Sequence, residues 1–264
     1  VLVDGRILYS NINWVANIWT VEADADRGVI AGDPEPVSRD LMAKFEFGIS
    51  RDGSQLVYNA FGGLQRRRLE VRWKDLVGGE ERTFEMKADR LGQNPRIDPA
   101  GGVVSYRDTL DGKPGTFFVR GRNGSSREAC GACDVLAFYD DPGLVLARDG
   151  PGRLARVNLS TGERTAVLET GSGVLAEPSL APGGRWAAFM LRKSDGGLAL
   201  HVAPLPDAPV PEKDWIVIFE DDRFLSSPAW SPDGGLIYYL SARDGNCCIW
   251  AQPVDRATKR PAGQ

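Results

Sequence analysis

The sequence is poor in the residues on which most catalytic centres are built. Histidine occurs once in 264 residues, at His201, inside the apolar run Leu200-His201-Val202. A packed or half-exposed strand position is expected for it, and a Ser–His–Asp triad or a multi-histidine metal site has little to draw on. The nucleophile elbow Gly-x-Ser-x-Gly is missing, because Gly171-Ser172-Gly173 has the wrong spacing. No run of 18 apolar residues exists, so no helical membrane span is expected. The chain opens Val1-Leu2-Val3-Asp4, with neither an initiating Met nor the basic-then-apolar layout of a signal peptide. A segment cut from a longer protein is the expectation.

A basic excess is also lacking. Lys and Arg number 32 against 36 Asp and Glu, a net charge of −4, so there is no footprint for nucleic acid. Arg66-Arg67-Arg68 reads as an exposed edge without stacking aromatics. The acidic groups Asp24/Asp26, Asp140/Asp141 and Glu220/Asp221/Asp222 lack the spacing of a calcium loop and read as solvated turns. No metal, cofactor or catalytic residue is assigned. Cysteine is sparse: Cys130-Gly131-Ala132-Cys133 and the vicinal Cys247-Cys248. Asp134 after Cys133 excludes haem attachment, and a thioredoxin-like site needs a strand-to-helix context that is missing. Disulfides, free thiols and a metal half-site stay open for all four. Cys130 and Cys133 are expected close together, oxidised if the protein is exported.

What the sequence does have is turns: 31 Gly and 17 Pro. A polar turn ending in Gly precedes a short apolar strand six times. The turn glycines are Gly5, Gly53, Gly101, Gly143, Gly184 and Gly234, spaced 48, 48, 42, 41 and 50 residues apart. A period of about 40–50 residues suits four short strands and their turns. Each unit reads as an inner strand such as Pro228-Ala229-Trp230, then the turn and a doubly apolar second strand such as Leu236-Ile237-Tyr238-Tyr239. A third strand such as Leu198-Ala199-Leu200-His201-Val202 follows, then an outer one such as Arg164-Thr165-Ala166-Val167-Leu168. Only Asp40-Leu41-Met42-Ala43-Lys44 offers a helical turn. The pattern predicts an all-β fold, a six-bladed β-propeller of four-stranded antiparallel blades, as a single domain over 1–264. An open solenoid is the alternative. Trp19, Trp73, Trp186, Trp230 and Trp250 recur at matching strand positions and are expected to fill inter-blade cores, whereas Trp14 and Trp215 fall outside those columns.

The segment Ser231-Pro232-Asp233-Gly234-Gly235-Leu236-Ile237-Tyr238-Tyr239, followed by Arg243-Asp244-Gly245 and Ile249-Trp250, resembles the WD-like repeat of TolB-type propellers. Asn17-Ile18-Trp19 and Ser50-Arg51-Asp52-Gly53 are weaker versions. In units three to five the turn departs from the pattern, at Ala100, Pro142 and Gly183. The resemblance implies a bacterial periplasmic binding protein, the outer portion of a membrane-tethered serine/threonine kinase or transcription regulator, or the non-catalytic domain of a prolyl-oligopeptidase-type peptidase. Trp250-Ala251-Gln252-Pro253-Val254-Asp255 with Lys259-Arg260-Pro261 is most similar to the kinase- and regulator-attached group.

A non-catalytic module that binds a protein or peptide partner outside the cytoplasm is therefore expected, with a propeller lyase or glycosidase as the alternative. Aligning the units on the turn Gly places Glu46, Asn94, Glu177 and Ser227 in one column near a central channel. Two of the four are acidic, and a wall of one sign focuses its field on cationic groups.

Overall fold

The computed structural model describes residues 2–3, 6–7, 15–62, 69–84, 90–110, 113–121, 124, 126–130, 134–221 and 223–263. Gly5, Trp14, Arg66–Arg68, Cys133 and Asp222 lie outside them, and only the backbone of Cys130 is described. Six very short strands come first: β1 (Leu2–Val3), β2 (Arg6–Ile7), β3 (Trp19–Thr20), β4 (Ala23–Asp24), β5 (Val29–Ile30) and β6 (Glu35–Pro36). They pair β1–β2, β3–β6 and β4–β5.

Five antiparallel sheets follow in chain order. Sheet I is β7 (Phe47–Ile49), β8 (Gln55–Phe61), β9 (Leu69–Asp75) and β10 (Glu81–Phe84). Sheet II is β11 (Arg90–Ile97), β12 (Val103–Leu110), β13 (Lys113–Gly121) and β14 (Ser126–Cys130). Sheet III is β15 (Asp134–Phe138), β16 (Leu144–Arg148), β17 (Arg153–Asn158) and β18 (Arg164–Glu169). Sheet IV is β19 (Gly173–Leu180), β20 (Trp186–Lys193), β21 (Leu198–Pro204) and β22 (Ile216–Asp221). Sheet V has three strands, β23 (Leu225–Trp230), β24 (Leu236–Ser241) and β25 (Cys248–Pro253).

Each sheet is a meander: neighbours in sequence are neighbours in the sheet, most of them joined by Gly and Asp turns of two to five residues, with the longest link, 205–215, between β21 and β22. Gly53, Gly101, Gly143, Gly184 and Gly234 all fall between a first and a second strand. Four of them have positive φ, but Gly143 does not; there Asp141 Oδ1 accepts the Gly143 N–H at 2.8 Å and turns the chain instead. The one helix among the described residues is a 3-10 turn at Glu212–Asp214. Asp40–Lys44 is not helical: Asp40 caps the Met42 N–H at 2.8 Å and Ala43 bridges Phe61.

The sheets stand in a propeller arrangement with their first strands β7, β11, β15, β19 and β23 side by side in order. The apolar second strands β8, β16 and β20 are buried on both faces because each sheet packs on the next, whereas β24 alternates between buried and half-buried positions. Val57 and Val71 of sheet I meet Val104 and Tyr106 of sheet II, all at most 2% exposed. Leu146 and Leu154 of sheet III meet Phe189 and Leu191 of sheet IV, and Met190 and Leu200 of sheet IV meet Ile237 and Tyr239 of sheet V. Each such side chain contributes about 1.5–3 kcal/mol. The turn glycines are part of this packing. A Cβ on Gly101, at φ +71, would lie 2.7 Å from Gln55 of sheet I, and one on Gly184 would lie 2.9 Å from Tyr139 of sheet III.

Residues 15–44 lie between sheet V and sheet I. On one side Tyr238 Oη donates to the Ala25 carbonyl at 2.6 Å and the Asp233 N–H to Asp26 Oδ1 at 2.9 Å. On the other, Ala43 bridges Phe61, Ile18, Val37 and Met42 pack on Leu56, Tyr58 and Ala60, and Lys74 Nζ donates to the Val37 carbonyl at 2.9 Å. Buried Lys44 holds the segment together through Asp40, Asn17 Oδ1 at 3.2 Å and the Met42 carbonyl at 2.9 Å.

The tryptophans do not occupy one column. Trp73 and Trp250 are on third strands, Trp186 on a second and Trp230 on a first. Trp19 is 59% exposed, because its short strand pairs only with β6. Trp215 is core instead: it is buried edge-on against Phe189, 4.9 Å between centroids.

Candidate functional site at the central channel

The first strands carry a repeated irregularity. The β11–β12 register shifts between Gln93 and Arg96, β15–β16 between Val135 and Ala137, β19–β20 between Ala176 and Ser179, and β23–β24 between Ser226 and Ala229. Three of the four contain a residue–proline pair: Asn94-Pro95, Glu177-Pro178 and Ser227-Pro228. Proline has no N–H for the ladder and bars its predecessor from the right-handed helical region, so the strand bulges there. Asn94, Glu177 and Ser227 take φ of 53, 50 and 56°. Such left-handed backbone persists only where the surroundings hold it.

What holds it is the neighbouring sheet. Glu46 Oε2 accepts the Asn94 N–H at 2.6 Å, and Glu177 Oε2 accepts the Ser227 N–H at 2.6 Å. Asn59 Nδ2 donates to the same Glu46 oxygen at 2.8 Å, and Arg192 donates to the other Glu177 oxygen at 3.2 Å. Asn94 Nδ2 reaches onward to Asp134 Oδ1 at 3.3 Å. Glu46, Asn94, Glu177 and Ser227 therefore do line one cavity, of about 810 Å³, walled by the first strands of all five sheets.

The wall is not of one sign. Arg96, Arg107 and Arg148 share it with Glu46, Asp134 and Glu177. Asp134 is clamped by Arg107 at 2.6 Å and lies 3.8 Å from Arg148. Arg96 reaches toward the axis from β11: its Nε donates to the Leu136 carbonyl of sheet III at 2.8 Å and Nη1 to the Pro95 carbonyl at 2.9 Å. Burial lowers its pKa, and the fields of Glu46, Asp134 and Glu177, which come from three other sheets, act the other way. The expected wall of one sign is thereby corrected to a mixed one, since the column of four omitted Arg96 on the first strand and Arg107 and Arg148 on the second strands. The Arg at position 96 was visible in Pro95-Arg96-Ile97, but nothing in a one-dimensional pattern tells an inward strand arginine from an outward one.

The other candidates are dispersed. His201 is 6% exposed, stacked on Phe189 at 5.9 Å and edge-on to Trp215 at 5.7 Å, and desolvation lowers its pKa. Cys247 and Cys248 are free and exposed on the hairpin into β25. Among the described residues no group of three or more His, Cys, Asp or Glu is placed to hold a metal, and no helix is long and apolar enough to cross a membrane.

No protein-family model matches the sequence, and neither does any curated protein. Solved structures do match in fold. TolB from Acinetobacter baumannii superposes with a TM-score of 0.67 at 15% identity, over 89% of this chain and 59% of that one. A TolB from Agrobacterium tumefaciens gives 0.65 at 16%, over 86% and 82%. A chain of a nidogen/laminin complex gives 0.64 at 11%, over 94% and 89%. This chain thus spans about three-fifths of the length of the first of these.

Proposed function

We propose that this TolB-like β-propeller is a non-catalytic recognition module, with six blades in one domain over residues 1–264, that receives a protein or peptide partner at its central channel. The sixth blade is the one to which residues 15–44 contribute, between sheets V and I. The observation that carries the reading is a channel-centred cavity on which five first strands converge, with Asn94, Glu177 and Ser227 at the bulges of three of them and Glu46 at the entry to β7. Concave sites with a few convergent polar groups are where propellers and other folds seat ligands. The fold is shared with a chain of a nidogen/laminin complex, which supports a protein partner. Likeness to TolB-type propellers, which include periplasmic binding proteins, supports an extracytoplasmic place in a bacterial signalling or envelope protein.

Selection from a displayed peptide library tests this reading. Ala229 is exposed and lines the channel from β23, so Ala229→Trp plugs the cavity without touching a core contact. Peptides selected on the native protein are expected to lose binding to Ala229→Trp. Binders that keep full affinity for that variant place recognition elsewhere and defeat the reading.

A further inference from the structure

The three carboxylates of the channel are all engaged. Glu46 holds Asn94 and Asn59, Asp134 holds Arg107 and Asn94, and Glu177 holds Ser227 and Arg192. Arg96 differs. A guanidinium has five N–H donors in a planar fork. Two of these meet the backbone carbonyls of Leu136 and Pro95, and among the described residues Nη2 has no partner and Arg96 no ion pair. The three arginines that line this cavity balance its three carboxylates; Arg107 and Arg148 flank Asp134, and Arg96 is the one arginine of the lining outside an ion pair among the described residues. An anionic guest finds at Nη2 of Arg96 a donor that no carboxylate holds.

The rest of the wall narrows the guest further. Phe45, Phe47 and Ile49 alternate along the entry to and length of β7, line the same cavity, and are 55%, 57% and 53% exposed. They extend over about 13 Å of strand, longer than one residue of a guest. We propose that Arg96 anchors the acidic side chain of an extended partner segment whose flanking apolar residues lie on Phe45, Phe47 and Ile49. Carboxylate and guanidinium match as a two-pronged, charge-assisted pair, and the apolar edge excludes water from it. This assignment rests on the channel being the binding site and specifies what it selects.

The test uses two capped pentapeptides, one with a central aspartate between apolar residues and one with asparagine in its place, titrated calorimetrically into the native protein, Arg96→Gln and Arg96→Lys. Capping removes the terminal carboxylate as a competing source. The aspartate peptide is expected to bind at least about tenfold more tightly than its analogue, the size of one charged hydrogen bond, and Arg96→Gln to abolish that preference. If Arg96→Gln fails to fold, as judged by its thermal transition, Arg96→Lys decides. It keeps the charge but not the fork, so a several-fold loss with acid still preferred is expected, and unchanged affinity overturns the anchor. Equal binding of the two peptides, no binding at millimolar concentration, or a preference that survives Arg96→Gln also overturns it. Library binders that Ala229→Trp abolishes but that show no need for an acid would remove the Arg96 assignment and leave the channel reading standing.

Discussion

At the scale of the residue, the informative positions are those that break a rule. Ser227 sits at φ 56°, ahead of a proline, and among the described residues its hydroxyl meets that of Ser226. Its contribution to the fold is made by its backbone N–H, which Glu177 accepts. Glycine occupies that backbone without the Cβ penalty of about 1–2 kcal/mol. Ser227→Gly is therefore expected to raise the unfolding free energy by up to about 1 kcal/mol in a denaturant titration, because part of the gain is lost to the greater freedom of the unfolded chain. An unchanged or lower midpoint would mean that the bulge is not strained. The recurring bulges explain why Asn94, Glu177 and Ser227 were legible in the sequence, since a fixed offset from the turn Gly survives a bulge that repeats; Glu46 shares the offset at the entry to an unbulged β7. The direction of a side chain does not follow from an offset, so Arg96, Asp134 and the arginines that clamp it went unassigned.

At the scale of the element, the Ser-x-Asp-Gly turns are the most self-contained units. Asp52 accepts Ser50 Oγ at 2.6 Å and the Ser54 N–H at 3.0 Å; Asp233 accepts Ser231 Oγ at 2.7 Å and the Gly235 N–H at 2.8 Å. The Ser50 hydroxyl bond is the main cause that lowers Asp52 to a pKa of about 2, and the Ser231 bond does the same for Asp233, also about 2. A folded pKa below the unfolded value of about 3.9 gives stability that is fully present above pH 4 and is lost as pH falls toward 2. The native protein is expected to lose melting temperature over that window. A Ser50→Ala, Ser231→Ala double variant is expected to lose less there, with a lower melting temperature at pH 7; parallel pH curves for the two proteins count against the turns as the cause. These turns were readable because two-residue periodicity, Gly placement and Asp chemistry agree locally. The Asp141-Pro142-Gly143 turn shows the limit, since an Asx bond replaces left-handed glycine with no change in its place between strands. The tryptophans Trp73, Trp186, Trp230 and Trp250 pack in cores between sheets although they do not share one strand position; Trp19 does not, because side-chain burial in a sheet depends on which neighbour covers it, and for Trp19 that neighbour is a two-residue strand.

At the scale of the whole molecule, sheets I to V are assembled from contacts between chain neighbours, but the seam is not. Ala25 and Tyr238 are 213 residues apart, and Asp26 and Asp233 are 207 apart. Closing a loop of that length costs about 1.2 kcal/mol more entropy than closing one of a single repeat, two doublings at about 0.6 kcal/mol each. The seam is thus the dearest contact to make, and among the described residues it is fastened by the bonds of Tyr238 and Asp233 to residues 25–28 and by Gly28 lying near Leu236, Tyr238 and Ala251. Folding should proceed sheet by sheet and join the ends last, after the rate-limiting barrier. Interactions absent from the transition state govern how fast the native state opens rather than how fast it forms. Tyr238→Phe is accordingly expected to speed unfolding several-fold in stopped-flow chevrons while leaving the refolding limb in place, and a slowed refolding limb would show that the ends meet early. A ring fastened this way has a built-in weakest point, and the lifetime of the closed molecule is set at Ala25 and Tyr238 rather than in its well-packed blades.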